Sequence, residues 1–364
     1  MSLHTLTRTM SHDTSAQQLS PTPPTQTSAR PSLDIRIETG LANGPAKARM
    51  LWREGFTPRE MANNSLDERQ VRRQEVIFEI IHTEADYIKD LRILVDIFVQ
   101  PMRFLKVATS QQCDLMFSNI EEILALHESI NAAFMERQRR EYPVVSDIAD
   151  ELLPFVSQFK VYAKYICNQD NALKLVEELK KESAHFMVFW KERQGRPECR
   201  SLPLESFMVL PFQRLLKYPL LLQTLLAATD EWSQEYANGR MVIEQIDAWI
   251  KKIQDTQAKL DSYACLDALS KSIRDIDWTP YMSGEHRLVY SGPVKTSVPR
   301  VGSGQPDLLS TEEPGVMWLF DSFLVIAKPS SPGGPRAPAQ PTKPQSAKPL
   351  PGTRYTAVLG PCQV

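Results

Sequence analysis

Nowhere in the 364 residues is there a run of about 18 apolar residues, the length a membrane-spanning helix needs. The first residues also lack the apolar segment of a secretion signal. Charge of one sign is missing too. Lys and Arg number 42 against 44 Asp and Glu, leaving a net charge of −2 and a pI of about 6.4. That balance excludes a generic nucleic-acid binder, whose footprint is strongly basic. The five cysteines form no C-x-x-C pair and lie scattered through helical stretches. Neither a disulfide framework nor a zinc site is expected, and a reducing, cytoplasmic setting follows, with recruitment to the plasma membrane as a further expectation. The Asn63-Asn64-Ser65 sequon carries no weight without a secretion signal. No Walker-type G-x-x-x-x-G-K-[ST], H-E-x-x-H or G-x-S-x-G occurs, and the six histidines show no metal spacing. No metal or cofactor is expected.

What is there divides into zones. Residues 1–48 are rich in Ser, Thr, Pro and Gln, include Pro21, Pro23 and Pro24, and show no hydrophobic period. Such a composition cannot bury enough apolar surface to offset the entropy of ordering, so a disordered tail is predicted, a transit peptide being the alternative. Residues 49–65 lead in. From Leu66 the pattern becomes helical, with Ser65 as the predicted N-cap and Asp67 and Glu68 in the first turn. Ile77, Ile81, Ile88, Leu91, Val95 and Phe98 fall on alternating steps of three and four, an apolar seam in which Glu84 occupies one slot. Pro101 is predicted to stop or kink that helix. Further helices fit 110–140, 144–160, 163–194, 203–229 and 236–262. About six helices with short links make an elongated bundle and a mainly α fold.

After residue 285 the grammar changes. Residues 286–296 alternate like one arm of a hairpin. Residues 316–327 read as a strand pair turning at Asp321 and Ser322, and 353–359 as one more strand. Within a proline-rich insertion at 329–352, prolines 329, 332, 335, 338, 341 and 344 recur every third residue, the repeat of a polyproline II helix.

Two segments carry a resemblance. Leu204-Glu-Ser-Phe-Met-Val-Leu-Pro-Phe-Gln-Arg-Leu-Leu-Lys-Tyr-Pro-Leu-Leu-Leu-Gln223 resembles the third conserved region of Dbl-homology domains. Arg73-Gln-Glu-Val-Ile-Phe-Glu-Ile-Ile-His-Thr-Glu-Ala-Asp-Tyr-Ile-Lys-Asp-Leu91 resembles their first, and its opening words are similar to the fungal Rho exchange factors. The two match in order, over a hundred residues apart, and the resemblance covers 66–278. The β-rich tail, 285–364, stands where that family places a pleckstrin-homology domain. It holds about four strands and no closing helix before Val364, either as a fragment of something longer or as a barrel left incomplete. It is therefore expected to be poorly ordered by itself.

The resemblance implies a guanine nucleotide exchange factor that opens a Rho-family GTPase, Rho favoured over Cdc42 or Rac. Such a protein makes no covalent bond. It binds the nucleotide-free GTPase best and by linkage weakens nucleotide binding by the same factor. The alternative is a non-catalytic scaffold of the same fold. Taken from its pattern alone, Glu84 is a helix-surface acid, or a buried acid paired with a base. The resemblance instead makes it the carboxylate that draws switch I away from Mg²⁺. Gln213, Arg214 and Lys217 cluster on one helical strip. The resemblance pairs Lys217 with an acid of switch II, places Gln213 beside it, and leaves Arg214 to an internal ion pair. Gln254 stands where many relatives carry Asn or Asp, with Lys251 just before it; solvated helix surface is the plain alternative for Lys251. Trp249 reads as core. In the tail, Arg287, Lys295 and Arg300 fit a weak phosphoinositide contact, and residues 338–343 a PxxPx[KR] ligand for an SH3 domain, against a plain extended loop.

Overall fold

The computed structural model describes residues 52–55, 66–274, 276–282, 286–297, 312–329 and 355–363. The N-terminal tail, the sequon, Arg300, and residues 338–343 with nearly all of the proline-rich insertion lie outside the described residues.

Helix α1 spans Glu68–Arg92. Its cap is Asp67, not Ser65. The Asp67 carboxylate accepts from the Gln70 N–H at 2.7 Å, while the Gln70 side chain accepts from the Asp67 N–H at 3.0 Å, a reciprocal box that satisfies two end donors. The predicted seam is buried, including Ile77, Ile81, Ile88 and Leu91. Pro101 does not stop the chain. A wide π turn at Ile93–Val99 precedes it, and the helix continues through the proline as the short α2, Gln100–Phe104. Before α1, the Trp52–Gly55 turn is pinned to it. Trp52 and Arg53 donate to the Glu75 carboxylate, and the Trp52 indole donates to the Pro143 carbonyl at 3.1 Å.

Four predicted helices are each divided. The 110–140 segment is α3, Ser110–Phe117, and α4, Ile120–Glu141, broken by Ser118 at φ 48°. Residues 144–160 hold only α5, Ala149–Leu152, and a 3₁₀ stretch, Leu153–Lys160. The 163–194 segment is α6, Val161–Glu182, and α7, Ala184–Gln194. Extended Ser183 separates them and caps α7 by accepting from the Phe186 N–H. After α8, Leu204–Met208, comes α9, Leu210–Ala227, with Pro219 inside it. The last helix, α10, is longer than its pattern suggested, Gln234–Ser272. Leu260 is exposed, but Cys265, Leu266 and Leu269 carry a second buried stripe further on.

Helix α1 packs on α4 and α9, α9 packs on α10, and α6 packs on α3 and α10 around one apolar core. Trp249 packs at the margin of that core, half-buried, with the Lys252 ammonium 4.9 Å above its ring. Strands β1 (Leu288–Ser297), β2 (Glu312–Phe320), β3 (Phe323–Pro329) and β4 (Tyr355–Gln363) form an antiparallel meander in sequence order. Asp321 and Ser322 turn between β2 and β3, as the sequence indicates. Trp318, Phe320, Phe323 and Val325 pack with Cys265, Leu266, Leu269 and Ile273 in a second core. The end of α10 thus covers a sheet face that four strands would leave bare. Cys113, Cys167, Cys199 and Cys265 are free thiols, and among the described residues no helix is long and apolar enough to cross a membrane.

Candidate functional site

Glu84 overturns its sequence-based role. It is fully buried, so it has no surface to offer a partner. Its carboxylate is saturated by donors from two other helices. One oxygen accepts from His127 Nδ1 of α4 at 2.5 Å. The other accepts from Arg214 Nε at 3.0 Å and Nη2 at 2.5 Å, and from the Tyr218 hydroxyl at 2.6 Å, both residues of α9. The remaining Arg214 nitrogen donates to Thr83 Oγ1 at 3.0 Å. Behind His127, Nε2 meets the Tyr162 hydroxyl of α6 at 2.6 Å, and that hydroxyl lies 3.5 Å from Tyr87. Burial opposes the charge of Glu84, but His127 and Arg214 outweigh it, and the carboxyl is held down at about 2. Arg214 keeps the internal ion pair that the resemblance implied. The same burial drives the Tyr87 and Tyr218 hydroxyls well above the usual phenol range.

The exposed chemistry stands outside this cluster. On α9, Gln213, Lys217, Leu220 and Thr224 follow each other at steps of four, three and four, which places them on one outward strip. Gln213 and Lys217 are half-buried, Thr224 is exposed, and Leu220 is 62% exposed, although most leucines of that helix are core. Helices α1 and α9 run antiparallel. Arg69 and Arg73 donate to Thr229 past the end of α9, while Glu84 bonds Arg214 near its start. Glu79 on α1 and Lys217 on α9 both fall between those two ties. Of the glutamates in the first motif, Glu75 is bound to Trp52 and Arg53 and Glu84 is buried, whereas Glu79 is exposed. Sequence reasoning passed over Glu79 and Leu220. The α1 burial series was the available signal, because Glu84 lies on it and Glu79 does not.

Helix α10 supplies the remaining candidates. It returns antiparallel to α9 after a short turn, so closely that a Cβ on Gly239 would sit 2.6 Å from Leu226 Cδ2. Gln213 stands as far before Leu226 as Lys252 stands after Gly239. Exposed Lys251 and half-buried Gln254 therefore share a level with the start of the α9 strip.

A helical unit with this connectivity matches the family model described as the RhoGEF domain, over residues 76–254. Residues 76–254 are a RhoGEF domain. Over 298 residues the chain is 29% identical to Rho1 guanine nucleotide exchange factor 2 of Schizosaccharomyces pombe, covering 80% of this chain and 25% of that protein. It is 28% identical to human Rho guanine nucleotide exchange factor 15 over 79% of this chain and 34% of the relative. The chain thus spans a quarter to a third of the length of these relatives. The solved DH/PH fragment of PDZRHOGEF in complex with human RhoA superposes with a TM-score of 0.66 at 24% identity, covering 76% of this chain and 80% of that one. The likeness establishes the architecture as a Dbl-homology bundle, the RhoGEF domain, followed by a partial pleckstrin-homology-like sheet.

Proposed function

We propose that the chain is a guanine nucleotide exchange factor for a Rho-family GTPase, acting through the outer faces of α1, α9 and α10. The single observation that supports this reading most strongly is the RhoGEF domain with an exposed acid and a lysine on adjacent antiparallel helices. Glu79 takes the part that Glu84 cannot, as the carboxylate offered to switch I. Lys217, with Gln213 beside it, meets an acid of switch II, and Leu220 gives the strip an apolar contact. Lys251 and Gln254 extend the face along α10. Interactions made only with the empty GTPase lower its free energy relative to the loaded form, and by linkage nucleotide and Mg²⁺ are held less tightly. The Rho exchange factors among the relatives, and RhoA in the solved neighbour, favour a Rho-type partner over Cdc42 or Rac.

The test is release of a fluorescent GDP analogue from a panel of Rho, Rac and Cdc42 proteins with the full chain. Acceleration on at least one Rho-type protein is expected. Gln254 favours one second reading, a scaffold that binds without releasing: its amide sits one methylene further out than the shorter side chain common at that position. Tight capture of a GTPase with no acceleration on any panel member would select that reading.

A further inference from the structure

We infer that the buried cluster centred on Glu84 is a positioning device, which fixes the register of α9 against α1 and so holds Glu79 and Lys217 on one face. The inference rests on the exchange-factor reading for its consequence, but its geometry stands independently. Four helices contribute: Glu84 and Tyr87 from α1, His127 from α4, Tyr162 from α6, and Arg214 and Tyr218 from α9. All six side chains are buried.

Apolar packing alone tolerates small slips between helices, because dispersion and burial are nearly indifferent to direction. A planar guanidinium forked onto one carboxylate is not indifferent. Shifting α9 by one residue would translate it about 1.5 Å and turn it by about 100°, breaking every bond to Glu84 at once. The same shift would carry Lys217 off the face. Arg214 lies between Gln213 and Lys217 in the chain, about 60° around the helix from Lys217, with its guanidinium turned inward to Glu84. The residue that reads the register is therefore less than one turn from the residue that uses it.

Stability is a poor explanation for such a cluster. Burying two charges costs solvation that their attraction only partly returns, and replacing a whole buried pair with apolar groups of similar volume is often neutral. That asymmetry provides the experiment. The double variant Glu84→Leu/Arg214→Met removes both charges and strands neither. In the full chain it should melt within about 5 °C of the parent and capture nucleotide-free GTPase. At saturating exchange factor, its maximal GDP release rate should fall more than tenfold. A merely structural cluster would leave the maximal rate of a folded variant intact, and a parental rate overturns the inference.

Should the double variant fail to fold, Tyr162→Phe/Tyr218→Phe serves instead, deleting two hydroxyls and leaving no charge unpaired. A three- to tenfold lower maximal rate is expected with that pair, and an unchanged rate overturns the inference. If the parent chain accelerates no GTPase, the functional reading has failed separately. Spin labels at Arg72 and Thr224, both exposed, in a chain cleared of its native cysteines then report register directly. The Glu84→Leu/Arg214→Met chain, or the tyrosine pair in its place, should broaden or shift the distance distribution; an unaltered distribution overturns the inference.

Discussion

Arg214 and Glu84, 130 residues apart in the chain, meet at 2.5 Å with almost no solvent reaching either side chain. Removing one partner of such a pair leaves the other charged and desolvated. Arg214→Met alone should cost about 3–5 kcal/mol of stability, most of it restored when Glu84→Leu is added. Urea denaturation of the two single variants and the double measures this as a coupling energy. Equal loss in single and double would mean that packing volume, not charge, dominates the site.

Residues of the outer face, exposed Glu79 and half-buried Lys217, should behave in the opposite way. Glu79→Ala and Lys217→Ala are each expected to slow GDP release more than tenfold, a loss of about 1.4 kcal/mol of preference for the empty GTPase. Stability should stay within about 0.5 kcal/mol, as is usual for surface positions. Stopped-flow release and thermal melts on the same preparations give both numbers. Leu220→Glu, placing a like charge among the acids expected of switch II, should be at least as damaging.

Acid should reach Glu84 only after carboxylates of ordinary pKa are protonated. Its folded value, about 2, lies below the ordinary 4.5, so its contribution is fully present above pH 4.5 and is lost as pH falls toward 2. The depression is worth roughly 3 kcal/mol. The groups that face it are His127, Arg214 and the Tyr218 hydroxyl. Glu84→Gln should be less stable at neutral pH and should flatten the stability profile between pH 4.5 and 2. A parental slope in that window would show that other carboxylates set the acid limb.

The close approach of α9 and α10 makes Gly239 a packing position. A branched side chain there meets Leu226, itself buried. Gly239→Val is expected to destabilise by about 1–3 kcal/mol through overpacking, measured by the shift in denaturation midpoint at constant slope.

Gln254→Asn tests whether the additional methylene matters. Under the exchange-factor reading, shortening the side chain should change the release rate by two- to fivefold without altering the melt. An identical rate would remove Gln254 from the working face.

The sequence made the helical class, the strand pair at 316–327 and the two motifs legible because each is a local pattern, periodic or contiguous. It did not separate the two glutamates of the first motif. Glu84 stood in an apolar series, which is a statement about burial, and the bases that tolerate it there lie on α4 and α9, far along the chain. The breaks at Ser118 and Ser183 were equally hidden, since neither residue is a glycine or proline and both gaps are a residue or two wide. The true reach of α10 was missed because its second stripe is buried by strands that follow it in sequence. Information of that kind is carried by the partner surface, not by the segment that answers to it.

Helix α10 runs unbroken for 39 residues, about 58 Å. Gln254 stands on it one end of a short span from Leu266, where the sheet is seated. A single stiff strut therefore packs against both cores. Under the exchange-factor reading, a load that tilts the sheet is carried along that strut toward Lys251 and Gln254.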